Sequence, residues 1–215
     1  MLRGLLTLLA IALAAAWSSA PALASGGNYV FSGGTPAEQQ QVRAALQASS
    51  FDWSLVPQQI TISIGPGQAD DAVPGTISLD SQLLDSGEFS WGVVQHEYAH
   101  QVDFFLFDAA TRARLQTLLG ATDWCYEIPG LRHDQHGCER FASTLAWAYW
   151  QSPQNCMSPA DVGAESAGMA PAAFRTLMTS ILGAAGQSPA PAPRFVTATA
   201  PSPSATPLRK RTATR

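Results

Sequence analysis

The sequence has little charge and almost no lysine. Only 13% of its 215 residues are charged, and Lys210 is the single lysine among twelve basic residues. The formal net charge is −4, so the chain lacks the excess of cationic groups that nucleic-acid binding requires. A basic run at residues 209–211 is interpreted as part of a solvated tail rather than as a binding patch. No nucleic-acid partner is therefore expected.

Only one long apolar run is present, at residues 5–16 near the N-terminus. Arg3 precedes this run, and a small-x-small triplet at residues 22–24 follows it, which is the pattern of a signal peptide cleaved before Ser25. A membrane anchor is the alternative, but the run is short for a span and no second run follows. We therefore predict a signal peptide over residues 1–24 and a secreted protein without a stable membrane anchor, free outside the cell or associated with the cell wall.

Cysteine is scarce as well, with Cys125, Cys138 and Cys156 as the only three. In an exported chain this number predicts one disulfide and one unpaired thiol. The sequence leaves all three pairings open. A pairing of Cys125 with Cys156 is preferred, because it would tie together the ends of a long stretch of chain.

The periodicity of apolar residues predicts an α+β fold. Residues 60–64 and 76–79 alternate strictly and predict two strands. A capping box at Thr35 and Glu38 predicts the start of a first helix. Further start and stop signals complete a set of helices at residues 36–48, 90–107, 109–119, 139–150 and 171–182.

We expect one domain over residues 25–186, with a small sheet beside the helix at residues 90–107 and a helical C-terminal half. Ser86 or Ser90 is the expected cap of that helix. From residue 187 to residue 215, Pro, Ala, Ser and Thr dominate, which predicts a disordered, basic tail.

The chemistry is concentrated in an HExxH motif formed by His96, Glu97 and His100. Because an α-helix has 3.6 residues per turn, the two histidines lie one turn apart on the same face. Two imidazoles at this spacing can bind one zinc ion at about 2 Å. Glu97 can hold a zinc-bound water, accept its proton and deliver that proton to the leaving amine. The alternative is a pair of surface histidines that bind no metal.

A catalytic zinc site needs a third protein ligand. The candidates are Asp103, Asp123, His133, His136 and Glu139. We assign Glu139, because it begins a predicted helix and is followed by small residues at positions 142, 143 and 146 that let this helix approach the HExxH helix closely. His136 is the second choice. An acid favoured in the first turn by the helix dipole is the alternative interpretation of Glu139.

Other polar residues could support the site. Asp103 lies on the same helical face as His96 and could accept a hydrogen bond from the outer nitrogen of a ligand histidine, or it could form a salt bridge or a helix-end contact. Donors to the oxyanion of a tetrahedral intermediate are also needed. Candidates in the loop before Glu139 and beyond it are Tyr126, His133, His136 and Tyr149.

Residues 75–79 precede the HExxH helix. This stretch could be an edge strand that binds an extended peptide by β-augmentation. Alternatively, it is a core strand.

The segment HEYAHQVD at residues 96–103, together with ERFA at residues 139–142, resembles the gluzincin branch of the zincin metallopeptidases. It is similar in pattern to the catalytic domain of anthrax lethal factor and to small secreted relatives. The resemblance implies a minimal zincin fold over residues 28–182 and a third zinc ligand near the start of a later helix, at Glu139. One position departs from the pattern, because Ser143 stands where gluzincins usually carry Asp.

These patterns predict a secreted, zinc-dependent endopeptidase that hydrolyses peptide bonds in a protein or peptide substrate. Zn²⁺ is the expected cofactor, and Glu97 is the expected general base. One alternative is a non-catalytic extracellular binding domain that keeps the fold and the metal. The presence of Glu97 argues against it, because a purely structural zinc has no use for that base. A surface module with an accidental HExxH motif is the other alternative.

Overall fold

The computed structural model describes residues 26–161 and 163–185. The predicted signal peptide and the predicted tail lie outside these residues, so both remain predictions from the sequence. The strands are β1 (Tyr29–Gly33), β2 (Ile60–Gly65), β3 (Asp71–Val73) and β4 (Thr76–Asp80). The helices are α1 (Pro36–Ala48), α2 (Ser81–Leu84), α3 (Trp91–Leu106), α4 (Ala109–Leu119), α5 (Gly137–Tyr149) and α6 (Pro171–Ala185). None of the helices in this part of the chain is long and apolar enough to cross a membrane.

The four strands form one mixed sheet in the order β1-β2-β4-β3. β1, β2 and β4 run parallel, whereas β3 pairs with β4 in the antiparallel sense. The two strands predicted from alternation are confirmed as β2 and β4. Of the two interpretations of residues 75–79, the core strand is confirmed and the edge strand is wrong, because β4 lies between two neighbours and β3 forms the edge. Gly75, with a φ of 83°, reverses the chain and lets Val73 pair with Thr76, which covers that edge of β4.

Helix α1 follows its sequence signals closely. Thr35 accepts a hydrogen bond from the Glu38 N–H, and the Glu38 carboxylate accepts one from the Thr35 N–H, so the predicted capping box is present. The helix buries Val42, Ala45 and Leu46. A buried contact ties it to α3, where Gln95 Nε2 donates to the Ala45 carbonyl at 2.8 Å.

Helix α3 begins one residue after the expected position, at Trp91. Neither Ser86 nor Ser90 caps it with a side chain. The Ser90 hydroxyl instead donates to the Gly87 carbonyl at 2.7 Å, since a 3₁₀ turn, Gly87–Ser90, leads directly into the helix.

The C-terminal half is helical, as predicted. α4 ends at Gly120, whose φ of 69° is the left-handed conformation typical of a helix stop. α5 packs against α3 and α6, and its apolar face buries Phe141 and Leu145 beside Phe174 of α6. The sheet, α3 and this helical half together confirm the α+β class.

The disulfide joins Cys125 to Cys138 with a Cα–Cα distance of 5.4 Å. The expected pairing of Cys125 with Cys156 is therefore wrong. The Cys138 N–H donates to the Trp124 carbonyl at 2.7 Å, and this short backbone pairing sets the two sulfur atoms side by side. Cys156 is free and half-buried.

Candidate metal centre

Helix α3 carries the HExxH motif through the middle of the domain. His96, Glu97 and His100 are almost fully buried, with exposed fractions of 5%, 6% and 6%. The i, i+4 spacing brings the two imidazole rings to a centroid distance of 4.9 Å. Their Nε2 atoms are 3.2 Å apart, so both rings point to one position.

Helix α5 brings Glu139 to the same position. The small residues that were expected to allow close approach, Ala142, Ser143 and Ala146, are all buried. Glu139 Oε2 lies 3.1 Å from His96 Nε2 and 3.4 Å from His100 Nε2. Three potential ligand atoms therefore form a nearly equilateral triangle.

This triangle fits a metal ion. Ligand atoms about 2.0–2.1 Å from a tetrahedral metal lie about 3.3 Å from one another, and the three distances here are 3.1, 3.2 and 3.4 Å. Neutral imidazole nitrogens and a carboxylate oxygen all present lone pairs, which repel unless a proton or a cation lies between them. Buried His96, His100 and Glu139 could thus hold a metal ion.

A second group of potential ligand atoms within the described residues is Cys125, Cys138 and Glu139. The disulfide occupies both sulfur atoms, so this group is closed to a metal while the cysteines are oxidised.

The pKa values of Glu139 and His100 reflect the convergence of the three groups. Burial alone would raise the pKa of Glu139, but the contacts of its carboxylate with His100 and His96 outweigh burial and hold the pKa well below its usual range. Burial lowers the pKa of His100, yet the Glu139 carboxylate more than compensates, and the pKa is raised.

Glu97 faces the cleft beside the triangle. Burial raises the pKa of its carboxyl, and the charges of Glu139 and Asp70 act in the same direction, against those of His96 and His100. A carboxylate with a raised pKa is a stronger base than one in water. Its position next to the candidate ligands, rather than among them, suits proton transfer.

The opposite wall of the cleft is formed by the loop before α5. Tyr126 and His133 both line the cleft, and His133 Nε2 lies 3.2 Å from Glu139 Oε2. Partial burial and the nearby Glu139 carboxylate raise the pKa of Tyr126, so its hydroxyl keeps its proton at neutral pH. Both side chains offer N–H or O–H donors to a molecule in the cleft.

Tyr126 has a positive φ of 57°, which is uncommon for a bulky residue and costs on the order of 1 kcal/mol. Asp123 stabilises this conformation, because its Oδ2 accepts the N–H groups of Glu127 and Ile128 at 2.8 and 2.9 Å. The Tyr126 ring also packs on His136, with centroids 4.0 Å apart. The strained backbone therefore aims Tyr126 at the cleft.

His136 lies outside the cleft. It is 1% exposed, and its Nδ1 is 2.6 Å from Asp123 Oδ1, so it supports the loop instead of facing the ligand triangle. Tyr149 packs on Phe51, with centroids 5.1 Å apart, and it does not line the cleft either.

Asp103 makes the salt bridge that was one of its two interpretations. Its Oδ1 accepts from Arg112 Nε at 2.7 Å, and its Oδ2 accepts from Trp124 Nε1 at 3.1 Å. Among the described residues, no ligand histidine is a hydrogen-bond partner of this carboxylate. Asp103 joins α3 to α4 and to the loop that carries Tyr126.

Ser143 and Glu165 make contacts at the site that were not predicted from the sequence. Ser143 Oγ lies 3.0 Å from His96 Nδ1, at the position where gluzincins usually carry Asp. Glu165, in the 3₁₀ turn Glu165–Ala167, also lines the cleft. In the sequence, Ser143 is distinguished by its departure from the gluzincin pattern that the motifs resemble. No local pattern marks Glu165.

The chain matches no protein-family model, and comparisons with curated proteins and with solved structures return no match either.

Proposed function

We propose that this protein is a secreted, zinc-dependent endopeptidase of the zincin type, with His96, His100 and Glu139 as the zinc ligands. The observation that carries the proposal is the ligand triangle, in which three buried groups from two helices converge with distances of 3.1–3.4 Å. Two imidazoles and one carboxylate form the ligand set of a catalytic zinc site that keeps a fourth position open.

Glu97 acts as the general base and then as the general acid. When bound, zinc supplies Lewis acidity that makes a coordinated water easier to deprotonate. Glu97 accepts a proton from the attacking water and gives it to the nitrogen of the leaving amine. The buried position of this carboxylate and its raised pKa support both transfers.

Tyr126 and His133 are the proposed donors to the oxygen of the peptide carbonyl as it becomes negative. Both line the cleft opposite the HExxH helix, and the raised pKa of Tyr126 keeps its O–H available. Preorganised donors of this kind act mainly on the transition state.

Strand β3 is the edge strand proposed to pair with the substrate backbone. Asp71 and Ala72 of this strand line the same cleft as the ligand triangle, and β3 is an edge of the sheet. Gln101 of α3 fixes the β3–β4 turn, since its Nε2 donates to the Val73 and Thr76 carbonyls. An extended peptide can pair with such an edge.

The test compares the wild type with Glu97→Gln in the cleavage of an unfolded protein, with zinc content measured on the same samples. Glu97→Gln is expected to keep its zinc and to lose turnover by several orders of magnitude. Glu88→Gln, which changes an exposed acid away from the cleft, serves as the matched control and should cleave like the wild type.

An active Glu97→Gln variant would contradict the proposed chemistry. A wild type that binds zinc without cleaving any peptide would instead favour the non-catalytic binding domain.

A further inference from the structure

Glu165 is a carboxylate of the cleft that contacts two different side chains of the site. Its Oε2 lies 2.9 Å from Ser143 Oγ, and its Oε1 lies 2.5 Å from His133 Nδ1. His96 Nδ1 is 3.0 Å from the same Ser143 hydroxyl. One residue of a short turn is thus connected both to a candidate zinc ligand and to a histidine of the opposite wall.

The first branch of this network runs from Glu165 through Ser143 to His96. The donors available determine the direction of its hydrogen bonds. A hydroxyl has one hydrogen, and an ionised carboxylate can only accept, so the Ser143 O–H donates to Glu165. The other acceptor within reach, Met157 Sδ at 3.5 Å, is weaker. Ser143 Oγ must then accept from His96, which places the proton of that imidazole on Nδ1.

The second branch is the direct contact between Glu165 and His133. It likewise determines which ring nitrogen is protonated. Because Glu165 Oε1 accepts, His133 Nδ1 carries the proton. The other nitrogen, Nε2, faces Glu139 Oε2 at 3.2 Å. Both imidazoles therefore carry a proton on Nδ1 and turn Nε2 towards the site.

We propose that Glu165 is a positioning residue that fixes the orientation of His96, through Ser143, and of His133, directly, and that places a proton on Nδ1 of both rings. This inference rests on the proposed zinc site, since the free lone pair on His96 Nε2 is what a metal requires. The role that gluzincins give to an Asp at position 143 is divided here between the Ser143 hydroxyl and a carboxylate supplied from the turn at residues 165–167.

Glutamine cannot replace Glu165 in both branches. Its amide has one oxygen, which can accept from Ser143 or from His133, while its NH₂ group faces the remaining donor. Glu165→Gln therefore disrupts at least one branch with little change in side-chain volume. Ser143→Ala removes only the branch to His96.

The experiment measures zinc affinity by competition with a chelator, and histidine tautomers by long-range ¹H–¹⁵N correlation spectra of the metal-free protein. Glu165→Gln and Ser143→Ala are each expected to weaken zinc binding by about tenfold or more. In wild type, His96 and His133 should both carry a proton on Nδ1. Ser143→Ala should change the His96 signal alone.

A rescue variant separates positioning from general stability. Ser143→Asp in the Glu165→Gln background places a carboxylate directly beside His96, so it should restore zinc affinity without restoring the His133 signal. Asp161→Asn, an exposed acid in the same segment, is the control and should behave as wild type.

Unchanged zinc affinity and unchanged tautomers in Glu165→Gln and Ser143→Ala would overturn the inference. If wild type itself binds no zinc, the proposed function fails, and the tautomers of the metal-free protein still decide the role of Glu165.

Discussion

The two walls of the cleft are built by different means. The helix wall consists of α3 and α5, and its candidate ligands are placed by helical periodicity and by close packing of small residues. The loop wall consists of residues 123–136, and its shape depends on the Cys125–Cys138 disulfide and on Asp123, which accepts two backbone N–H groups. The candidate metal ligands thus lie in regular structure, whereas the groups proposed to recognise the transition state lie on a constrained loop.

The largest expected effect comes from the helix wall. Glu139→Ala removes one of three ligands and leaves two buried histidines without their carboxylate partner. Since changes to residues that merely support ligands already cost about 10–100-fold in metal affinity, the loss here should exceed about 100-fold, with activity lost in parallel. Zinc competition checks it, with the exposed Glu127→Ala as control. Wild-type affinity in Glu139→Ala would show that another residue is the third ligand.

The loop wall should separate turnover from metal binding. Tyr126→Phe removes a single hydroxyl and should lower kcat by about 100-fold, which is the usual cost of losing one oxyanion donor, with zinc affinity unchanged. Steady-state kinetics and zinc competition on the same preparation test this contrast. A parallel loss of zinc would mean that the two walls are not independent.

Opening the disulfide should loosen the loop wall first. Cys125→Ser with Cys138→Ser removes a cross-link that spans 13 residues, which is worth about 3 kcal/mol of unfolding free energy in the chain-entropy model. Denaturant unfolding measures the change, and Cys156→Ser is the control that leaves the cross-link intact. A double variant as stable as wild type would show that the hydrogen bonds of the loop suffice.

The pH dependence of zinc binding tests the interaction between His100 and Glu139 in the helix wall. The Glu139 carboxylate raises the pKa of His100 in the metal-free protein, so this pair stabilises the fold fully below the unfolded pKa of about 6.5 and loses that contribution as pH rises through the folded pKa. Zinc needs the neutral imidazole, and binding therefore releases this proton.

Zinc affinity should consequently rise with pH, by up to about tenfold per unit for one released proton, and level off above the folded pKa. Competition assays corrected for protonation of the chelator measure the slope. A flat profile across the neutral range would mean that His100 is not protonated in the metal-free site.

Much of the helix wall could be predicted from the sequence, because its information is local. The HExxH spacing placed His96 and His100 on one face, and the small residues after Glu139 predicted the close packing of α5 on α3. The capping box at Thr35 and the glycine stop at Gly120 likewise set helix ends to within a residue.

The loop wall and its supports depend on contacts between residues distant in sequence, which no periodicity encodes. The edge position of β3 depends on a reversal at Gly75, and the disulfide depends on backbone pairing between Trp124 and Cys138. Glu165 contacts Ser143 although the two residues are 22 positions apart in the sequence. The choice left open between an edge and a core strand at residues 75–79 and the error in the predicted disulfide therefore have one cause, which is the absence of a local signal.

The zinc stoichiometry of the purified metal-free protein, titrated with zinc, tests the central claim most directly. The wild type should bind one zinc ion tightly per chain, and a variant with His96→Ala and His100→Ala should bind none, with Glu88→Gln as the control that binds like wild type. Full zinc retention by the double-histidine variant, or no tight binding by wild type, would contradict the account.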